Sequence, residues 1–278
     1  MSASVMSTRA ERLTGTVVLW AFAAAVLVPF AAIALAALHP AGAPVAGLSW
    51  PSTPHFENFR RAWTIAGFGS LLRSSATIAL VVVPIGALFA TMAGYAFGTM
   101  RFTGSRLLFS FLLIGLTLPP EAAVIPLYYD LKQVGLTDSY WALILPLIGL
   151  YMPFGAFWMR AHFLSVPREL AEAARVDGAS EWAVFRRVMI PTARPAIATL
   201  AMLFFVWSWN QFLLALILIQ EPSRRTAPAG LGFFIDQNTR DVPMLCAATL
   251  IVIAPVIALY LIGQRHLIRG MTQGAVKG

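Results

Sequence analysis

Glu172, Arg175 and Asp177 fall in one short run, Glu172-Ala173-Ala174-Arg175-Val176-Asp177-Gly178-Ala179. Two carboxylates and a guanidinium stand there among alanines and a glycine, and no nucleophile–base pair or metal spacing completes a reactive set. The four histidines, His39, His55, His162 and His266, are widely scattered, and no metal-ligand spacing surrounds the lone Cys246, which reads as packing. No catalytic residue and no metal site is expected. A Gly-x-x-x-x-Gly-Lys-Ser/Thr phosphate cradle is also missing, so the chain has no nucleotide site of its own. The remaining residues of interest are polar groups inside apolar runs. Asn210 and Gln211 lie between Trp207 and Trp209 on one side and Phe212 on the other, and Glu121 follows Pro119 and Pro120.

The elements that hold these residues follow from composition. Of 278 residues, 59% are hydrophobic and 12% charged, with a mean hydropathy of +0.75. A soluble domain has about a quarter charged residues, so lipid must be the main solvent. Six apolar segments each reach the ~20 residues needed to cross the hydrocarbon: Leu13 to Leu38, Leu71 to Phe97, Leu107 to Tyr129, Tyr140 to Phe163, Ala196 to Ile219 and Met244 to Ile262. The third and fourth are interrupted by Pro119, Pro120, Pro126, Pro146 and Pro153, which remove backbone donors and bend helices. The first, behind Arg9 and Arg12 and ending in Ala34 to Ala36, also has features of a cleaved signal peptide, but its apolar run is longer than a usual signal core.

Orientation follows from the basic residues. With the N-terminus inside, thirteen of the twenty Lys and Arg, from Arg9 to Lys277, lie on the cytoplasmic side. Six lie opposite, namely Arg60, Arg61, Lys132, Arg224, Arg225 and Arg240, and Arg73 is unassigned. The asymmetry predicts both termini inside. The net charge of +8 is therefore topological, and nucleic acid is not an expected partner, since no soluble domain carries a basic patch with interleaved aromatics.

The cytoplasmic stretch from 165 to 195 reads as two short helices. Pro167 suits a helix start, Leu170, Ala173, Ala174 and Val176 share one side, Gly178 breaks the chain, and Ser180 and Glu181 open a second helix. That helix carries Trp182, Phe185, Val188 and Met189 and is expected to stop at Pro191 and Pro195. An amphipathic pair resting among lipid headgroups fits the same periodicity.

This run, followed by Phe185 and Ile190-Pro191, closely resembles the EAA loop of ABC importer permeases. Further segments resemble the carbohydrate-type branch, in particular the smaller maltose-type subunit: Asn58-Phe59-Arg60-Arg61-Ala62, Ala93-Gly94-Tyr95-Ala96-Phe97, Met100 to Gly104, Ile125-Pro126-Leu127-Tyr128, Trp207 to Phe212 and the tail from Gly270 to Gly278. Ser74-Ser75 departs from the Asn-Ser pair common there.

The resemblance implies an all-α integral membrane protein of the type I importer fold, a single permease domain over 1–278 with six transmembrane helices, a coupling loop at 165–195 and a cytoplasmic tail at 263–278. It implies a bacterial-type inner membrane, a second permease subunit, a dimer of ATP-binding subunits carrying ATP and Mg²⁺, an extracytoplasmic solute-binding protein, and a sugar, polyol or glycerophosphate solute. Glu172, Ala173, Ala174, Asp177, Gly178, Ala179, Phe185 and Pro191 are the expected ATPase-coupling residues, with Phe185 as the docked anchor and Glu172 and Asp177 as polar contacts. Asp177-Gly178 also reads as a helix stop, with the carboxylate capping the next helix. Trp207, Asn210, Gln211 and Glu121 are candidates for the solute path, since aromatic faces suit sugar rings and amides bond hydroxyls, although amides also join helices and Glu121 also fits a helix-end contact. Arg224, Arg225, Phe233, Asp236 and Asn238, in the long outer loop from Glu221 to Pro243, are candidates for binding-protein contact, and Phe233 and Phe234 also fit an interfacial hairpin. The competing class is a secondary transporter driven by an ion gradient, which needs embedded carboxylates, and only Glu121 offers one.

Overall fold

The computed structural model describes residues 9–45, 47–117, 119–235 and 241–275, with side chains described between residues 13 and 264. Asp236, Asn238, Arg240 and Lys277 lie outside the described residues. Among those described, five helices are long and apolar enough to cross a membrane: Leu13–Ala36, Phe68–Thr99, Trp141–Ser165, Glu181–Trp209 and Val242–Gln264. They belong to α1 (Arg9–Ala36), α3 (Phe68–Thr99), α6 (Trp141–Ser165), the composite helix ending in α9 (Ile190–Trp209), and α11 (Val242–Ala275). The shorter helices are α2 (Glu57–Ala66), α4 (Ser105–Ile114), α5 (Val124–Gln133), α7 (Arg168–Val176), α8 (Glu181–Ala183) and α10 (Leu213–Leu218).

Four boundaries differ from expectation. The third segment, predicted as one span over Leu107 to Tyr129, is two ten-residue helices, α4 and α5, joined through a 3-10 turn at Pro120–Ala123. Pro119 and Pro120 both lack the backbone donor that a continuing helix needs. The second coupling helix does not stop at Pro191. Instead α8, a π turn at Val184–Met189 and α9 run on as one helix over Glu181–Trp209. The wide π turn just before Pro191 loosens the backbone ladder where the proline ring would crowd the preceding carbonyls. The chain then breaks at Asn210, well before the predicted end at Ile219, and restarts as α10. Finally, α11 continues helically to Ala275, through most of the segment expected as a Gly-rich tail.

The chain forms two compact units. The first comprises Met1–Ala66 and Leu231–Val252. Within it, the buried Asn58 side chain donates to the carbonyls of Ala37, at 2.9 Å, and His39, at 2.7 Å. These are carbonyls just past the end of α1, so one amide satisfies acceptors that helix termination leaves open.

The second unit comprises Gly67–Gly230 and Ile253–Gly278 and is organised by α3, α6 and α9. Ile78, Val82, Leu143, Leu147, Met159, Leu200 and Phe204 are fully buried there. Lipid tails are as apolar as these side chains, so close packing holds such helices together more than expulsion of water does. The glycines show how close it is. A Cβ on Gly94 would collide with that of Met159 and lie 2.7 Å from the Arg160 nitrogen. One on Gly155 would lie 2.6 Å from the Ala90 Cβ and 2.9 Å from the Phe204 ring.

Candidate functional site

The coupling pair is built on a single turn. Gly178 has φ +82°, a conformation that costs an L side chain roughly 1–2 kcal/mol. It lets Ala179 N–H bond the Ala174 carbonyl and Gly178 N–H bond the Arg175 carbonyl, each at 3.0 Å. Together these form a Schellman end to α7. The next helix is capped by Ser180, whose hydroxyl accepts from Ala183 N–H at 3.3 Å. The cap is therefore Ser180, not Asp177, while the predicted stop at Gly178 is observed.

Across the turn, Arg175 donates from Nε to Glu181 Oε1 at 2.6 Å and from Nη2 to Oε2 at 3.1 Å. This two-bond fork fixes the angle between α7 and α8 and pushes the Arg175 pKa further up, the hydrogen bonds to Glu181 being the main cause.

The two apolar stripes of α7 have separate fates. Ala171 and Ala174, with Ala179, pack against the core, whereas Leu170, Ala173 and Val176 point outward, with Val176 87% exposed. Ala173 and Val176, predicted on the same side as Ala174, are turned away from it by about a quarter and nearly half of a helical turn respectively. Glu172 and Asp177 are exposed beside them. Trp182, 59% exposed, extends the outward apolar surface onto α8.

Phe185 is 4% exposed, which corrects its expected role as the docked anchor. Its ring lies 4.9 Å from Tyr95 of α3 and 5.5 Å from Trp182, and Tyr95 in turn meets Phe163 of α6 at 5.5 Å. A side chain enclosed this way has no face left for another subunit. Phe185 instead ties the pair to the bundle. Pro191, half-buried early in α9, sits inside the continuous helix and ends nothing.

That same helix ends at a second feature. Trp207, Asn210 and Gln211 line a cavity of about 400 Å³ together with Tyr151, Phe154 and Pro120. Tyr151 is ten residues into α6, about 15 Å along its axis, hence near mid-bilayer. Gln211 Nε2 donates to its hydroxyl at 3.5 Å, and the rings of Tyr151 and Phe154 lie 5.4 and 4.9 Å from Trp207. Thr226 Oγ1 donates to the Gln211 carbonyl and holds the break in the helix in place. Its volume is within the ~300–1,000 Å³ usual for small-molecule sites. Glu121 is exposed on the 3-10 turn and does not join this lining, although Pro120 beside it does. Sequence reasoning missed Tyr151 and Phe154. Their position in the proline-interrupted fourth segment was the available signal.

The candidates in the loop from Glu221 to Pro243 are largely engaged within the chain. Arg224 Nη1 donates to the Asp138 carbonyl at 3.1 Å and stands 3.7 Å from its carboxylate. Arg225 donates to the carbonyls of Ile219, at 3.0 Å, and Gln220, at 3.3 Å, just past α10. Asp138, another residue missed, has φ 59° and accepts from the N–H groups of Gln220 and Glu221 at 3.1 and 2.9 Å. Aspartate tolerates that conformation, and Gly135-Leu136-Thr137-Asp138 carried the turn signal. Phe233 is exposed and Phe234 buried, while Asp236 and Asn238 lie outside the described residues.

Residues 83–273 match the family described as "Binding-protein-dependent transport system inner membrane component". The trehalose transport system permease protein SugB of Mycobacterium tuberculosis is 35% identical over 82% of this chain and 84% of its own. The arabinooligosaccharides transport system permease protein AraQ of Halalkalibacterium halodurans is 34% identical over 82% of this chain and 81% of its own. In fold, the chain resembles one in the crystal structure of a bacterial ABC transporter involved in the import of the acidic polysaccharide alginate, with a TM-score of 0.79 and 22% identity over 94% of this chain and 99% of that one. The protein is thus a multi-pass membrane protein, and it belongs to the family of permease subunits of binding-protein-dependent ABC importers.

Proposed function

We propose that this chain forms half of the translocation path of a sugar importer of a bacterial inner membrane, with both termini in the cytoplasm. A second permease subunit completes the path, and a dimer of ATP-binding subunits holds the ATP and Mg²⁺, this chain binding no cofactor itself. An extracytoplasmic solute-binding protein delivers the solute. The observation that carries this reading is that one unbroken helix, Glu181–Trp209, begins in the coupling pair and ends at the wall of the cavity. At 29 residues it is about 43 Å long, and a helix of that kind transmits a push at one end as a displacement of Trp207 at the other.

The docking surface is the outward stripe of Leu170, Val176 and Trp182, flanked by Glu172 and Asp177, which fits a cleft in an ATP-binding subunit. Closure of the ATPase dimer then moves α7 and α8, and Phe185 against Tyr95 carries part of that motion into α3. In the cavity, the Trp207 and Phe154 faces suit the C–H surface of a sugar ring, and Tyr151, Asn210 and Gln211 exchange hydrogen bonds with hydroxyls. Relatives named for trehalose and arabinooligosaccharide transport support a carbohydrate solute. Thermal shifts of the cognate solute-binding protein against a panel of mono-, di- and oligosaccharides, polyols, glycerophosphates and amino acids test this. Stabilisation by carbohydrates is expected, and stabilisation by an amino acid alone would overturn the sugar assignment.

A further inference from the structure

Asn58-Phe59-Arg60-Arg61-Ala62 lies in α2, a ten-residue helix that takes no part in the coupling pair or the cavity. At about 100° per residue, its side chains sort into two arcs. Ile65, Asn58, Ala62, Ala66, Phe59 and Trp63 follow one another around one side, and Arg60, Thr64, Glu57 and Arg61 around the other. In the first arc Asn58, Ala62 and Ala66 are buried and Phe59 is half-buried, while the residues at its two edges are open, Trp63 at 45% and Ile65 at 55% exposure. All four residues of the second arc are exposed, and the Thr64 hydroxyl donates to the Arg60 carbonyl at 3.0 Å. Each arginine stands beside one apolar edge, Arg60 three residues before Trp63 and Arg61 four before Ile65. Neither arginine has an ion pair among the described residues.

Both ends of α2 are held close to membrane spans. At the first, the Asn58 amide donates to the carbonyls of Ala37 and His39, and the His55 N–H donates to that of Leu38 at 2.9 Å. All three acceptors lie within three residues of Ala36, where the α1 span ends. At the second, Gly67 alone separates Ala66 from the span of α3. A ten-residue helix is about 15 Å long, so standing upright it would carry one end that far from the surface, whereas tied at both ends it lies along it. We propose that α2 rests in the phospholipid headgroup layer at the face of the bilayer where α1 ends, with Trp63 and Ile65 at the boundary with the acyl chains and Arg60 and Arg61 on the lipid phosphates. A flat layer receives both apolar edges at once. A protein seated on Trp63 would leave Ile65 uncovered, because the two stand about 160° apart around the helix, with the buried stripe between them on one side and the charged arc on the other. On the orientation proposed above this is the extracytoplasmic leaflet, where basic residues are few, and the phosphates supply the counter-charge for this pair. The inference needs α1 and α3 to cross the bilayer and is independent of the solute and of its energy source.

The test uses the purified complex in phospholipid nanodiscs with its other cysteines replaced, Cys246 being the only one in this chain. A nitroxide is attached in turn to Arg60→Cys, Trp63→Cys, Thr64→Cys and Ile65→Cys, and its collisions with dissolved oxygen and with a water-soluble nickel chelate are measured. Labels at positions 63 and 65 are expected to favour oxygen, at a depth of about 5–10 Å into the headgroup–acyl boundary, and labels at positions 60 and 64 to favour the chelate. Preference for the chelate at all four positions would show a helix standing in water, and shielding of position 63 or 65 from both reagents would show a protein cover. Either result overturns the proposal. Trp63→p-benzoylphenylalanine, which keeps an aromatic side chain, gives a second readout that serves also if a cysteine variant fails to assemble. Addition of the mass of a phospholipid to this chain on irradiation supports the proposal. A cross-link to a protein, or no adduct at all, overturns it.

Discussion

The Phe185 ring, in the π turn near the start of the long helix Glu181–Trp209, packs 4.9 Å from the ring of Tyr95 near the C-terminal end of α3. This contact leaves Phe185 no free face for the docking role expected of it. Phe185 and Tyr95 hold the coupling pair to the bundle, and the exposed Leu170, Val176 and Trp182 are free to meet another subunit.

Phe185→Ala should therefore destabilise the permease itself. Truncating a buried phenylalanine costs about 3–5 kcal/mol, so the thermal midpoint of the purified complex should fall, and transport should uncouple from ATP hydrolysis. Normal stability together with lost ATPase binding would return Phe185 to a docking role.

Val176→Asp is expected to do the opposite. It places a charge on an outward position without disturbing the core, so co-purification of the ATP-binding subunits should fall while the stability of the isolated permease stays within about 0.5 kcal/mol of wild type, as for other surface changes. Undiminished co-purification would show that the outward stripe is not the docking face.

At Gly178 the backbone itself is the constraint. Gly178→Ala should cost about 1–2 kcal/mol and Gly178→Asn less, because asparagine tolerates the left-handed end of a Schellman motif. Gly178→Pro, whose φ is fixed near −65°, should abolish coupled uptake. Uptake assays on the three variants check the order, and wild-type behaviour in Gly178→Pro would contradict the turn as drawn.

The Arg175–Glu181 fork is exposed, so Glu181→Gln should cost no more than about 0.2–1 kcal/mol. The loss should shrink as salt screens the pair. Thermal melts of both proteins at low and high ionic strength measure this directly.

Tyr151→Phe and Trp207→Ala distinguish the two kinds of contact in the cavity. The first removes only the hydroxyl near Gln211, and the second removes an aromatic face, which is worth about 0.5–1.5 kcal/mol beyond area. Trp207→Ala should raise the half-saturation of transport about two- to tenfold, and Tyr151→Phe should have the smaller effect. Unchanged transport in both variants would move the solute path elsewhere.

Span positions and the coupling loop were legible in the sequence because both depend on local signals: apolar runs long enough for the bilayer, and a glycine between two amphipathic stretches. Pro191 misled because its effect depends on the turn before it, and a π turn has no reliable local code. Phe185 misled for a similar reason. A phenylalanine on an amphipathic helix reads alike whether its neighbour is Tyr95 or another subunit, and only the bundle decides. Trp207, Asn210 and Gln211 were found because amides are rare in apolar segments. Tyr151 and Phe154 were not, since aromatics are common there and the cavity arises from three separated stretches of chain.

The central claim is that this chain moves its solute through ATP hydrolysis on a separate subunit. Uptake into proteoliposomes bearing the purified complex, with ATP and Mg²⁺ enclosed and the solute-binding protein outside, tests it most directly. Uptake is expected to require ATP and to persist when ionophores collapse all ion gradients. Uptake that survives without ATP and stops when the gradients collapse would contradict the account and favour a secondary transporter.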